Sequence, residues 1–210
     1  MTGRFITFEG GEGCGKSTQV RFLADRLRAA GREVFLTREP GGTMLAEKIR
    51  SLVREESGDP PNARAETLLF LASRAQVVAE VIRPALAEGK WVLCDRFADS
   101  TFAYQGYGRG LDLQELRRLN AFATDGLIPD RTILLDVSPA TASARMRSRE
   151  QATHTAADRM EKAGEAFHAR LKQGFLEMAA AEPERFVVIA ADVGVDEVAE
   201  KVWNSIRPMI

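Results

Sequence analysis

The nonapeptide GGEGCGKST, residues 10–18, holds the side chains most plainly suited to chemistry. In the spacing Gly10-x-x-x-x-Gly15-Lys16-Ser17, glycines let backbone N–H groups converge on an anion, Lys16 adds a mobile positive charge, and Ser17 offers a hydroxyl to Mg2+. That is the P-loop pattern, and its chemistry belongs to a nucleoside triphosphate. Gly10, Gly11, Glu12, Gly13, Cys14, Gly15, Lys16, Ser17 and Thr18 are therefore the candidate donor-binding stretch. Glu12 is the odd member, because a carboxylate repels phosphate and needs another reason to be there.

Phosphoryl transfer asks for little covalent help; it requires two phosphate-bearing molecules in line and their charge neutralised. Arginines just after strands are the residues to look for. TREPGGT (37–43) puts Arg38 ahead of a Pro-Gly-Gly turn at the carboxyl end of an apolar run, the edge at which open α/β sheets bind ligands. An ordinary solvated charge is the competing reading. CDRF (94–97) repeats the arrangement: Asp95 suits Mg2+ and Arg96 suits a phosphate, or the two form a structural ion pair. Phe70 and Arg74 are four residues apart and share a helical face, where they could stack on and hydrogen-bond a base, or serve the core. DSTFAYQGYGRG (99–110) reads as a polar, glycine-rich loop of the kind that contacts substrate. Arg145, Arg147, Arg149 and Arg159 surround SREQATHTAADR (148–159), which lacks the apolar content to pack. That segment reads as a mobile flap able to close on a triphosphate, with a wetted helix face as the alternative. His154 and His168 have no partner pattern.

Positioning these groups requires a sheet. RFITFE, EVFLT, WVLCD, TILLDV and RFVVIA are short runs, apolar at nearly every position and separated by helical pattern. Such runs suit a parallel sheet buried on both faces, hence a three-layer α/β domain. The P-loop falls between the first run and a segment with Val20, Leu23, Ala24 and Leu27 at helical spacing, the strand–loop–helix order it needs. MLAEKIRSLVRE places Leu45, Ile49, Leu52 and Val53 on one face, and Pro84 should kink or restart the long helix over 64–89. Asp112 and Glu115 are spaced as a capping box for a helix that stops at Gly126.

With 210 residues and no compositional break, one domain spanning 1–210 is expected, with a lid at about 147–160. A formal net charge of −1 gives no general field for a nucleic-acid polymer. Cys14 and Cys94 lack metal-ligand spacing and disulfide density, so reduced thiols are expected. No stretch suits a membrane span, and a cytoplasmic enzyme is the expectation.

FEGGEGCGKST, TREPGGT, LFLASRAQ, CDRF with STFAYQG, and the arginine-bearing flap together resemble the thymidylate kinase family, in its order and spacing over essentially the whole chain. The resemblance implies a P-loop NTPase fold with a five-stranded parallel sheet flanked by helices, transfer of the ATP γ-phosphate to dTMP with Mg2+, and a homodimer. It implies that Arg38 and Arg96 hold the dTMP phosphate, that Phe70 stacks on thymine and that Arg74 hydrogen-bonds it. Ser100, Tyr104 and Gln105 would line the base and sugar pocket, with Tyr104 crowding a ribose 2′-hydroxyl. Lys16 would cradle the β/γ-phosphates, and Ser17 and Asp95 would serve Mg2+. Glu12 would face the 3′-hydroxyl side of the acceptor sugar. The P-loop interior has no basic residue, and members of that kind carry compensating flap arginines; Arg149 is the first candidate, with Arg159 and Arg147 behind it. A kinase for another monophosphate would keep the P-loop without Phe70, Arg74 and AYQG. A GTP-dependent switch would need Asn-Lys-x-Asp and a strand-end Asp-x-x-Gly, and the sequence has neither.

Overall fold

The computed structural model describes residues 3–54, 60–153 and 163–210. Each apolar run becomes a strand: β1 (Arg4–Glu9), β2 (Val34–Arg38), β3 (Trp91–Asp95), β4 (Arg131–Asp136) and β5 (Phe186–Ala190). Every pairing is parallel, in the order β2-β3-β1-β4-β5, so all five carboxyl ends open on one edge, with β1 in the middle. Side chains alternate between two apolar layers. Ile6, Phe8, Leu93, Ile133 and Leu135 pack with Leu23, Leu27 and Val202 on one side. Phe5, Val92 and Cys94 pack with Val77, Ile82 and Phe97 on the other, and Leu134 joins Phe167, Leu171 and Phe175. This is the expected three-layer arrangement. Burial on both faces holds for β1, β3 and β4 but not at the margins, where Phe35 and Leu36 of β2 and Val188 of β5 stay exposed. Flanking helices cover the middle of a sheet and taper at its edges.

Helix α1 (Lys16–Ala29) buries Val20, Leu23, Ala24 and Leu27, the stripe its spacing foretold. In α2 (Met44–Arg54) the buried stripe is Ala46, Ile49 and Val53, whereas Leu45 and Leu52 lie exposed. The apolar arc of α2 is wider than its contact with its neighbour, and the small Ala46 lets that neighbour, α3 (Ala63–Val77), come close. Asn62 caps α3 by accepting from the amides of Arg64 and Ala65. At its other end α3 widens into a π-helical turn, Val78–Ile82, before α4 (Arg83–Ala87). Proline lacks an amide hydrogen and crowds the carbonyl four residues back, so the wider turn absorbs Pro84 without ending the helix.

The segment expected as a loop at 99–110 is helical instead: α5 (Ala98–Thr101) runs into a second π-helical stretch, Phe102–Gly108. Its polar and glycine content misled because these residues are buried against α6 (Leu113–Thr124) and α8 (Glu165–Ala181). Asp112 caps α6 through the Glu115 amide at 2.9 Å, and a left-handed Asp125 followed by Gly126 stops it. Helix α7 (Pro139–Thr153) follows β4, and α9 (Val195–Ile206) follows β5. Cys14 and Cys94 are both buried and unpaired. No helix among the described residues is long and apolar enough to cross a membrane. Arg159, His154 and the expected lid beyond residue 153 lie outside the described residues.

Candidate active site

The P-loop leaves the central strand and turns into α1 at Gly15, whose φ of 97° is left-handed. Gly13 shows why glycine is required: φ is 70°, and a Cβ there would sit 2.5 Å from the Ala142 carbonyl of α7. Lys16 is buried under the loop it serves, its Nζ donating to the carbonyls of Gly10 at 3.0 Å and Gly11 at 2.8 Å. Ser17 Oγ donates to Asp95 Oδ2 at 2.5 Å, which brings a hydroxyl from α1 and a carboxylate from the end of β3 together.

Glu12 turns toward the far side of the cleft. Its Oε1 accepts from Arg96 Nη2 at 2.5 Å and from the Tyr104 hydroxyl at 3.1 Å. Burial works against the charge of Glu12, but Arg96, Lys16, the Tyr104 hydroxyl and Arg149 outweigh it and hold the carboxyl at about 2. Arg96 has a left-handed backbone, φ 70°, rare for an arginine and held by its amide bond to the Phe8 carbonyl. Its guanidinium also reaches the Gly10 carbonyl and Ser100 Oγ, each at 3.3 Å, and lies 5.0 Å from the centre of the Tyr104 ring.

The sequence reading missed Glu9, the last residue of β1, which is fully buried. It accepts from the Phe97 amide at 2.8 Å, the Ser100 amide at 3.2 Å and Ser100 Oγ at 2.6 Å. A side chain from another element thus caps α5, which has no side-chain cap of its own. Burial first, then the nearby Asp99, push Glu9 up to about 7 against its hydrogen bonds and Arg96. A charged residue ending an apolar run just before a P-loop was the signal available for it.

A second wall of the cleft is built on α3. Phe70 is half-buried and lines the cavity beside Arg74. Arg74 is almost wholly buried: Nε donates to Glu39 Oε2 at 2.8 Å, Nη1 to Thr101 Oγ1 at 2.8 Å and Asn120 Oδ1 at 2.5 Å, and Nη2 to the Phe97 carbonyl at 3.0 Å. It is a structural hub as well as a cavity wall, a role visible only once β2, α5 and α6 are assembled around it. Arg38 lies at the rim, more than half exposed, and pairs with Glu47 at 2.8 Å. Gln105 donates through Nε2 to Glu66 Oε1 at 2.9 Å. On α7, Arg149 reaches the cavity together with Arg145, whose Nη2 is tied to the Ala191 carbonyl at 2.9 Å; Arg147 points to solvent.

One cavity of about 540 Å3 joins these groups. Glu12, Lys16 and Ser17 line it together with Arg38, Phe70, Arg74, Asp95, Arg96, Ser100, Tyr104, Gln105 and Arg149. The P-loop and the α3 wall therefore share one space. Cys14 is buried beneath the loop and does not line that space.

The thymidylate kinase family model matches residues 8–202. A thymidylate kinase of Solidesulfovibrio magneticus is 50% identical, covering 98% of this chain and 100% of its own, and one from Deinococcus radiodurans is 50% identical over 97% and 96%. The chain belongs to the thymidylate kinase family. Its fold agrees with the crystal structure of thymidylate kinase from Ehrlichia chaffeensis, with a TM-score of 0.79 at 34% identity, covering 98% of this chain and all of that one. Family membership makes the chain a nucleoside monophosphate kinase, and the reaction of the thymidylate kinase family is phosphorylation of dTMP to dTDP.

Proposed function

We propose that the chain moves the γ-phosphoryl group of ATP to dTMP across the Glu12–Arg96 contact. One observation carries this division of labour: the single acidic residue of the P-loop is bonded to acceptor-side groups, Arg96 and Tyr104, and not to the anion cradle. Loop amides and Lys16 hold the β/γ-phosphates of ATP; Arg96 and Arg38 hold the dTMP phosphate. Phe70 stacks on thymine, Arg74 and Gln105 bound its edge, and Ser100 and Tyr104 close the sugar side. An ionised Glu12 accepts a hydrogen bond from the 3′-hydroxyl, and the bulk of Tyr104 disfavours a ribose 2′-hydroxyl. Arg149, with Arg147 and Arg159 behind it, neutralises charge on the transferring group as the lid closes over one domain.

The Ser17–Asp95 pair fits Mg2+, a hard cation that takes oxygen ligands and keeps several waters. Among the described residues no cluster of three or more His, Cys, Asp or Glu is arranged for a metal, which suits an ion held mainly by substrate phosphates. Held by Ser17 and Asp95, Mg2+ would supply neutralisation of the triphosphate's negative charge. Helices α2, α3 and α6 pack side by side and carry the exposed Leu45, Leu52, Leu68, Leu119 and Phe122, an apolar face suited to a second copy of this chain. Two unpaired thiols agree with a cytoplasmic location.

The test is a coupled assay of purified protein with ATP–Mg2+ and a panel of monophosphates. Preference for dTMP over dCMP, dGMP and AMP is expected; equal rates would overturn the acceptor assignment.

A further inference from the structure

Glu66 and Gln105 form a contact that the phosphoryl-transfer account does not use. Glu66 is fully buried in α3, one helical turn before Phe70 and two before Arg74, on the face that looks into the cavity. Its carboxylate can only accept, so Gln105 must turn Nε2 toward it, as the 2.9 Å bond records. Glu66 Oε2 lies 3.3 Å from Arg109 Nη2, which favours an acceptor at that position too. Gln105 is itself buried yet lines the cavity. Among the described residues no donor reaches its Oε1, and that oxygen is not sealed from the cavity. The amide therefore offers the ligand an acceptor.

We propose that Glu66 is a positioning residue for base choice: by fixing the Gln105 amide with its oxygen toward the base, it selects pyrimidines bearing a ring N3–H over cytosine. The inference rests on the inner end of the cavity being the base pocket. Thymine and uracil donate from N3, whereas cytosine presents a lone pair there. Two acceptors then face each other, and a site with its polar group unpaired rejects the wrong ligand strongly.

Replacement of Glu66 by Gln reverses the logic. Arg109 still calls for an oxygen, so the new amide turns its NH2 toward Gln105, which must rotate and present Nε2 to the base. Kinetics of the full chain with ATP–Mg2+ and either dTMP or dCMP read this directly. Glu66→Gln should lower the dTMP:dCMP ratio of kcat/KM by about tenfold or more, mainly through a lower KM for dCMP and a higher one for dTMP. Gln105→Met, which keeps shape without an amide, should also lower the ratio and serves should Glu66→Gln fail to fold. Wild-type preference for dTMP retained in folded Glu66→Gln, or in Gln105→Met, would overturn the inference. Wild-type protein that turned over dCMP as well as dTMP would overturn the reading of the pocket on which it rests.

Discussion

Arg96 Nη2 and Glu12 Oε1 meet at 2.5 Å, joining the end of β3 to the interior of the P-loop. Each group accounts for the other's oddity. Glu12 remains ionised in an anion-binding loop because Arg96 faces it, and Arg96 is held in a left-handed backbone aimed at that loop. When a phosphate arrives beside Arg96, the same guanidinium can serve both carboxylate and phosphate through its several N–H donors.

Arg74, on α3, ties Glu39, the residue after β2, to α5 and α6 through its guanidinium, so its loss should show in folding as well as in binding. Arg74→Ala leaves Glu39 as an uncompensated buried charge and should destabilise the chain by about 3–5 kcal/mol, with weaker dTMP binding in whatever protein remains folded. Arg38→Ala removes an exposed pair and should cost under about 1 kcal/mol. Equal urea midpoints for the two variants would contradict the difference in burial.

Glu9 titrates at about 7 in the folded chain, above the ordinary 4.5. The folded state therefore binds more protons than the unfolded state between those values, and stability from this group falls as pH rises from about 4.5 through 7. Wild type should lose up to about 3 kcal/mol relative to Glu9→Gln over that window, measured by denaturant titration at each pH. Parallel pH curves would show that burial does not raise Glu9.

Arg149 lines the cavity and acts on Glu12 electrostatically. If its task is charge on the transferring group, Arg149→Ala should lower kcat by about 100-fold or more while the Kd for dTMP changes little. Arg147→Ala, at an exposed position outside the cavity wall, should be far milder. Steady-state kinetics with both variants would expose the reverse ranking if it held.

The exposed apolar residues of α2, α3 and α6 supply the assembly test. Phe122 is 88% exposed, so Phe122→Glu should cost the folded monomer little. Sedimentation should move from dimer to monomer with Phe122→Glu; unchanged mass would place the interface elsewhere.

Much of the fold was legible because buried parallel strands are written as continuous apolar runs: RFITFE and WVLCD match β1 and β3 residue for residue. Edge exposure was not legible, since Phe35 and Val188 look like core until the sheet order is known. The 99–110 segment failed for another reason. Its polar residues are inward-facing and its glycines sit against neighbours, with a Cβ on Gly108 falling 2.5 Å from Phe167. At the site, spacing marked the P-loop, and position after apolar runs marked Arg38 and Arg96, which line the same cavity. Glu9, Glu39 and Asn120 escaped because their partners are distant in sequence: the Glu9 carboxylate meets the Phe97 amide 88 positions later.

Glu12→Gln tests the central claim, that the P-loop carboxylate belongs to the acceptor. Calorimetry would give separate Kd values for ATP–Mg2+ and dTMP with wild type and variant. The account predicts dTMP binding about tenfold or more weaker, with ATP binding close to unchanged. Tighter ATP binding with dTMP unaffected would place Glu12 against the donor phosphates and contradict it.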